Sequence, residues 1–290
     1  MTPINRKDLK RQAREAMGLT SPKFWVVCLV YILLTTGVDG LLHLFSSPLG
    51  LEETAFSFFG FFCTVLFTLY SLVIQFGYNL WSLWAYRKLN PGMGSLIQGF
   101  SITGRVLVME LLIFLKVFAW VLLLALCITI LILFIPSLPL YLLCLALVYV
   151  AMFVIMLRYA MAPYLLADFP DDGAGAAVRR SVEMMWGRKW ELFKLQFSFF
   201  GWYLLDIVLS GSVLVFFLVR SGVLNAPITS DSILTYQSVI SSAPAFFFSN
   251  LISLPLVLWL TPYTSVTQAG FYDTICRTGR VSQSEQMPPL

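Results

Sequence analysis

From Val106 to Ala167 the chain hardly loses its apolar character, and that length is about twice what one helix needs to cross a bilayer. Such a run becomes either a buried core or a pair of membrane spans, and composition decides between them. The 290 residues are 59% hydrophobic and 12% charged, with a mean hydropathy of +0.83. Soluble domains carry about 25% charged residues, so half that share leaves too little polar surface to cover a globule. The sequence reads as an integral membrane protein.

Proline divides the long run. It lacks an N–H and clashes with the preceding turn, so Ile135-Pro136-Ser137-Leu138-Pro139 ends one helix and permits a tight return. Applied along the chain, the same reading predicts six spans, at 24–45, 55–86, 106–135, 140–167, 191–219 and 243–272. Nearly all Lys and Arg fall in the N-terminal tail, in 87–105, in 158–194, or at Arg277 and Arg280, with Lys116 and Arg220 as the exceptions. That bias puts those segments and both termini in the cytoplasm, and Glu52, Glu53 and Asp231 outside. The expected fold is all-α: a polytopic protein of six transmembrane helices in three hairpins. Residues 1–23 are too polar for a signal peptide, and the polar tail 273–290 is expected to be disordered.

The cytoplasmic segments carry pattern of their own. Over residues 4–19, Leu9, Ala13, Ala16 and Met17 share one helical face, while Arg6, Lys7, Lys10, Arg11 and Arg14 occupy the others. In 173–186 a stripe of Ala174, Ala177, Val178, Ser181, Val182 and Met185 leaves Arg179, Arg180 and Glu183 away from it. Both are predicted amphipathic helices lying along the membrane or the bundle base. Membrane lipids are the expected partners, with Lys7, Lys10, Arg11, Arg14, Arg179 and Arg180 meeting anionic headgroups. The plainer reading is a positive-inside flank with no separate role. A third such segment, 92–102, precedes the second hairpin, so the starts recur roughly every 80 to 90 residues, as in a parallel threefold repeat. Ala162-Pro163-Tyr164 and Thr261-Pro262-Tyr263 fit that repeat.

Ionisable groups inside a bilayer are costly and are functional candidates by default. Here they are Asp39 and His43 in the first span, Glu110 and Lys116 in the third, and Asp206 in the fifth. Asp39, His43, Lys116 and Asp206 make one candidate polar site, read either as a transport path or as an interhelical Lys116–Asp206 ion pair. Glu110, one turn inside, is expected to snorkel or to meet Arg105. Asp168, Asp171 and Asp172 offer a weak divalent-ion cluster, but capping the helix that starts near Gly173 is the simpler task for Asp171 or Asp172. One histidine and five scattered cysteines argue against a metal site, and the cysteines read as packing residues. No catalytic triad, nucleophile elbow or phosphate loop is present, no cofactor is implied, and no basic soluble domain exists to bind nucleic acid.

Several stretches resemble one family. They are Lys7-Asp8-Leu9-Lys10-Arg11-Gln12-Ala13-Arg14, then Tyr159-Ala160-Met161-Ala162-Pro163-Tyr164-Leu165-Leu166-Ala167-Asp168. Further on come Ser181-Val182-Glu183-Met184-Met185-Trp186-Gly187-Arg188, Phe199-Phe200-Gly201-Trp202-Tyr203, Thr261-Pro262-Tyr263 and Ala269-Gly270-Phe271-Tyr272. In that order they are similar to the bacterial six-helix family called domain of unknown function 975. That family is more remotely similar to the membrane region beside some glycerophosphodiesterase domains. The resemblance implies topology and no reaction. The expected function is therefore a non-enzymatic membrane scaffold or accessory factor contacting lipids or partner proteins. The alternative is a transporter or immunity-type exporter of a small amphiphile. Solvent access separates them, because transport needs a polar cavity reaching the bilayer midplane.

Overall fold

In the computed structural model, residues 5–37, 53–134, 137–222, 236, 238–240 and 242–285 are described, and no strand occurs among them. Helix α1, Arg6–Gly18, starts where the Asn5 side chain accepts from the Lys7 N–H at 3.1 Å. Its buried residues are Leu9, Ala13, Ala16 and Met17, all on one face. On its flank the Lys10 ammonium donates to the Ser198 carbonyl at 3.2 Å and lies 4.0 Å from the Phe199 ring centre. Burial, then the charges of Arg6 and Arg14, lower the Lys10 pKa below its ordinary value.

Apolar helix α2, Phe24–Ile32, runs into a π-turn at Leu33–Gly37. The rest of the expected first span, with Asp39 and His43, lies outside the described residues. Helix α3 spans Glu53–Tyr86. The one-turn helix α4, Ser95–Gln98, returns along it, and backbone meets backbone at Gly77. A Cβ on Gly77 would stand 2.6 Å from the Leu96 carbonyl carbon. Helix α5, Thr103–Phe134, and helix α6, Leu138–Tyr159, form the next pair. The fourth span breaks at Ala160 and Met161, because Pro163 cannot continue the hydrogen-bond ladder, and resumes as α7, Ala162–Asp168.

A 3₁₀ turn at Pro170–Asp172 then leads into α8, Ala174–Met184. Gly173 supplies the positive φ of 81° at that junction and is itself the N-cap, with no side-chain capping bond. Asp171 and Asp172 therefore do not cap this helix, contrary to expectation: arginines hold them instead, Arg105 on Asp171 at 3.3 Å and Arg180 on Asp172. Ala174, Ala177, Val178, Ser181 and Met185 are buried against α5, α6 and α7. Val178→Ala should remove about 1–2 kcal/mol of apolar burial and lower the melting temperature of the solubilised chain. No change on melting would mean that α8 is not docked.

The fifth span begins later than expected. Helix α9, Lys189–Phe197, stops at Ser198, and the membrane-length helix is α10, Phe200–Arg220. The last helix, α11, runs from Ala243 to Glu285, straight through Pro255 and Pro262. The residues after Tyr272 are thus helical as far as Glu285 rather than disordered, and Asp273 and Arg277 are tied together there at 2.7 Å.

Among the described residues, five helices are long and apolar enough to cross a membrane, and Phe24–Gly37 is a shorter apolar one. At most 22% of the most apolar window of any of the five is buried. The core instead gathers at one end, where α1, α4, α7 and α8 meet the ends of α3 and α11. Trp81, Tyr78, Tyr164, Tyr272 and Phe271 are its largest fully buried side chains. That end also carries Arg87, Arg105, Lys189 and Lys194, and is called here the basic end.

Candidate functional site

Three alternate spans finish at the basic end on Arg87, Asp168 and Asp273. The Arg87 guanidinium donates from Nη1 and Nη2 to the two Asp168 oxygens, each at 2.7 Å, and from Nε to Asp273 Oδ1 at 3.0 Å. The Tyr272 hydroxyl donates to Asp168 Oδ2 at 2.9 Å, and the Tyr272 ring stacks on Tyr164 with 5.5 Å between centres. Side-chain exposures of 24%, 16% and 8% for Arg87, Asp168 and Asp273 make this a largely desolvated cluster. The hydrogen-bonded Asp168 carboxylate holds the Arg87 pKa above its ordinary value, against the opposing effect of burial. Beside the clamp, the Tyr86 hydroxyl and Gln12 Oε1 meet at 2.6 Å, which ties α1 to the end of α3. A fork-shaped cation bonded to two carboxylates is a rigid connector.

Deeper among the spans lies a half-open pocket of about 380 Å³ with polar groups in a partly apolar wall. Gln75 and Asn79 of α3, Glu110 of α5, Ser265 and Gln268 of α11, and the broken stretch of the fourth span around Ala160 line it. Gln268 Nε2 donates to the Ala160 carbonyl at 3.4 Å, one of the groups freed by the helix break. Gln75 Oε1 accepts from the Tyr31 hydroxyl at 2.9 Å. Glu110 is half-buried, and no cation and no hydrogen-bond partner reaches its carboxylate among the described residues. A second cavity, of about 530 Å³, adjoins the first and shares Ser265 and Gln268 with it. Its other walls are mainly aromatic: Phe153, Phe193, Phe197, Phe199, Phe200 and Tyr203.

A family model described as "Protein of unknown function (DUF975)" matches residues 1–278. The chain belongs to the DUF975 family. No curated protein and no solved structure matches it. Two stretches that carry the DUF975 resemblance, 159–168 and 269–272, meet in space through the Tyr164–Tyr272 stack and the Tyr272–Asp168 hydrogen bond.

The remaining candidates of this DUF975 chain are dispersed. Lys116 is exposed on α5, and Asp206 is half-buried on α10 with an unpartnered Oδ1. They form no ion pair, which corrects the expected Lys116–Asp206 bridge. The reason is packing: α5 lies against α3, α6 and α8, whereas α10 lies against α11. Among the basic candidates, Lys7, Arg11, Arg14 and Arg179 are exposed. Arg180 is exposed as well but held by Asp172, Arg11 pairs along its own helix with Asp8 at 3.3 Å and Glu15 at 3.9 Å, and half-buried Lys10 donates to the Ser198 carbonyl. Glu110 does not meet Arg105, which is held by Asp171. Sequence reasoning missed the clamp altogether. Its one visible signal was an acid, Asp168 or Asp273, at the end of a span where the other loops carry Lys and Arg.

Proposed function

We propose that this membrane protein is a non-enzymatic scaffold or accessory factor of the bacterial inner membrane, with six spans in three hairpins and both termini in the cytoplasm. In this reading the cytoplasmic end is a fixed platform, presenting Lys7, Arg11, Arg14 and Arg179 to anionic lipid headgroups or to partner proteins. One observation carries the reading: the packed core lies at that end and is joined by Arg87 across three spans, while the apolar faces of the spans are left for lipid or partner helices.

The second reading is a transporter or exporter of a small amphiphile, and the polar cavity around Glu110 favours it. Sidedness separates the two. In a cysteine-free chain, single cysteines at positions 52 and 231 should react with an impermeant thiol reagent added to intact cells, and those at 171 and 283 should not. A Gln75→Cys variant should react only in inverted vesicles if the cavity is a one-sided inlet. Reaction of Gln75→Cys from both sides would replace the scaffold by the transporter, and labelling at 171 from outside would overturn the topology.

A further inference from the structure

Glu110 poses the sharpest question in the molecule. It lies seven residues into α5, about 10 Å along the helix axis at 1.5 Å per residue, and about one turn inside the expected third span. A charge at such depth is costly unless a counter-charge or water meets it, and no protein cation does so among the described residues. The other polar side chains that line the pocket with Glu110 are neutral, the amides of Gln75, Asn79 and Gln268 and the hydroxyls of Ser265, Tyr159 and Tyr164, and they alternate with apolar Leu72, Ile113 and Met156. Through Ser265 and Gln268 this polar chamber borders the aromatic one. An acidic, amide-lined chamber beside a larger aromatic chamber is complementary to one ligand chemistry. We propose that the paired cavities bind an amphiphile with an ammonium head and an apolar body, the head on Glu110 and the body among Phe153, Phe193, Phe197 and Phe200.

The chambers hold about 380 and 530 Å³, within the size range of small-molecule sites. An ammonium donates to the carboxylate and amide oxygens, and a ring face also attracts it, so entry past the aromatic wall is favourable. A carboxylate head would meet Glu110 as a like charge. A hydroxyl head would fill the space without the ion pair. The site stands independently of the scaffold reading, since either a platform or a carrier can hold a lipid-like ligand. A headgroup amine of a membrane phospholipid and a free long-chain amine share this chemistry.

The test uses the full chain in maltoside micelles and three ten-carbon probes: decylamine, decanol and decanoate. Binding is read by tryptophan-monitored melting and by native mass spectrometry of the retained probe. Decylamine should bind about ten- to a hundredfold tighter than decanol, the range expected for a charge-assisted bond, and decanoate should bind weakest. Glu110→Gln should abolish the preference for the amine, and Glu110→Asp should retain it. Gln268→Leu, at the junction of the chambers, should weaken decylamine binding without touching the carboxylate. Equal binding of amine and alcohol by the unaltered chain would overturn the proposal, with no variant needed. An amine preference that survives Glu110→Gln would overturn it as well. Displacement of decylamine by phosphatidylethanolamine, but not by phosphatidylglycerol, identifies a lipid as the source of the amine; displacement by neither identifies a free amine. This readout is equilibrium binding, so its failure is distinct from a failed sidedness experiment.

Discussion

Replacing Arg87 with methionine should lower the melting temperature of the solubilised chain by on the order of 10 °C. Removing one member of a buried ionic cluster leaves the other charges without a partner, at about 3–5 kcal/mol. For a chain of this size each kcal/mol corresponds to about 2–4 °C. Here two carboxylates lose their shared cation, at side-chain exposures of 16% and 8%, although Asp273 keeps Arg277 at 2.7 Å. The larger share of the loss therefore falls on Asp168. Arg87→Met combined with Asp168→Asn should be less harmful than Arg87→Met alone, because the stranded charge is gone. Arg87→Lys should be intermediate, since an ammonium keeps the charge but cannot match both carboxylate oxygens with a planar fork. A double variant as damaging as the two single losses added would show that the residues are uncoupled.

The second large effect is expected at Gly77. A Cβ there would stand 2.6 Å from the Leu96 carbonyl carbon and 2.9 Å from its Cα. These are backbone atoms of α4, so no side chain can rotate away and a helix must move. Gly77→Val should cost about 3 kcal/mol, the upper part of the usual overpacking range. Because Gln75 and Asn79 flank this position on α3, the displaced helix should also reshape the polar chamber, and decylamine binding should weaken with stability. Gly60 lies on the same helix with open space around it. Gly60→Val should be close to neutral, and equal losses at the two glycines would refute the close-approach argument.

Local pattern was readable along the chain, and distant pairing was not. The face of α1 is written in the spacing of Leu9, Ala13, Ala16 and Met17, and the same four residues are the buried ones. The stripe of α8 behaves alike, because a short helix must turn its apolar residues toward something. Span ends were less legible where helix breaks need no strong marker: Ser198 and Phe199 interrupt the fifth span without a proline or glycine. The clamp was invisible for another reason. Arg87 looks like any basic flank of a membrane span, and its partners are 81 and 186 positions away. Only the packing of α3 against α7 and α11 brings them together. Lys116 failed the opposite way: depth argued for an inward partner, but the face of α5 that carries it turns outward.

The spacing of the clamp also orders events in time. Arg87 is synthesised 186 residues ahead of Asp273, and at about 5–20 residues per second that interval lasts on the order of 10–40 s. Throughout it the guanidinium must wait at the membrane surface with at most one of its two carboxylates, while α1 waits for α11 to pack against. The basic end is therefore sealed by the last span to be inserted. Until α11 has been made, the Arg87 fork has at most one of its two carboxylate partners, so the clamp closes only when Asp273 arrives.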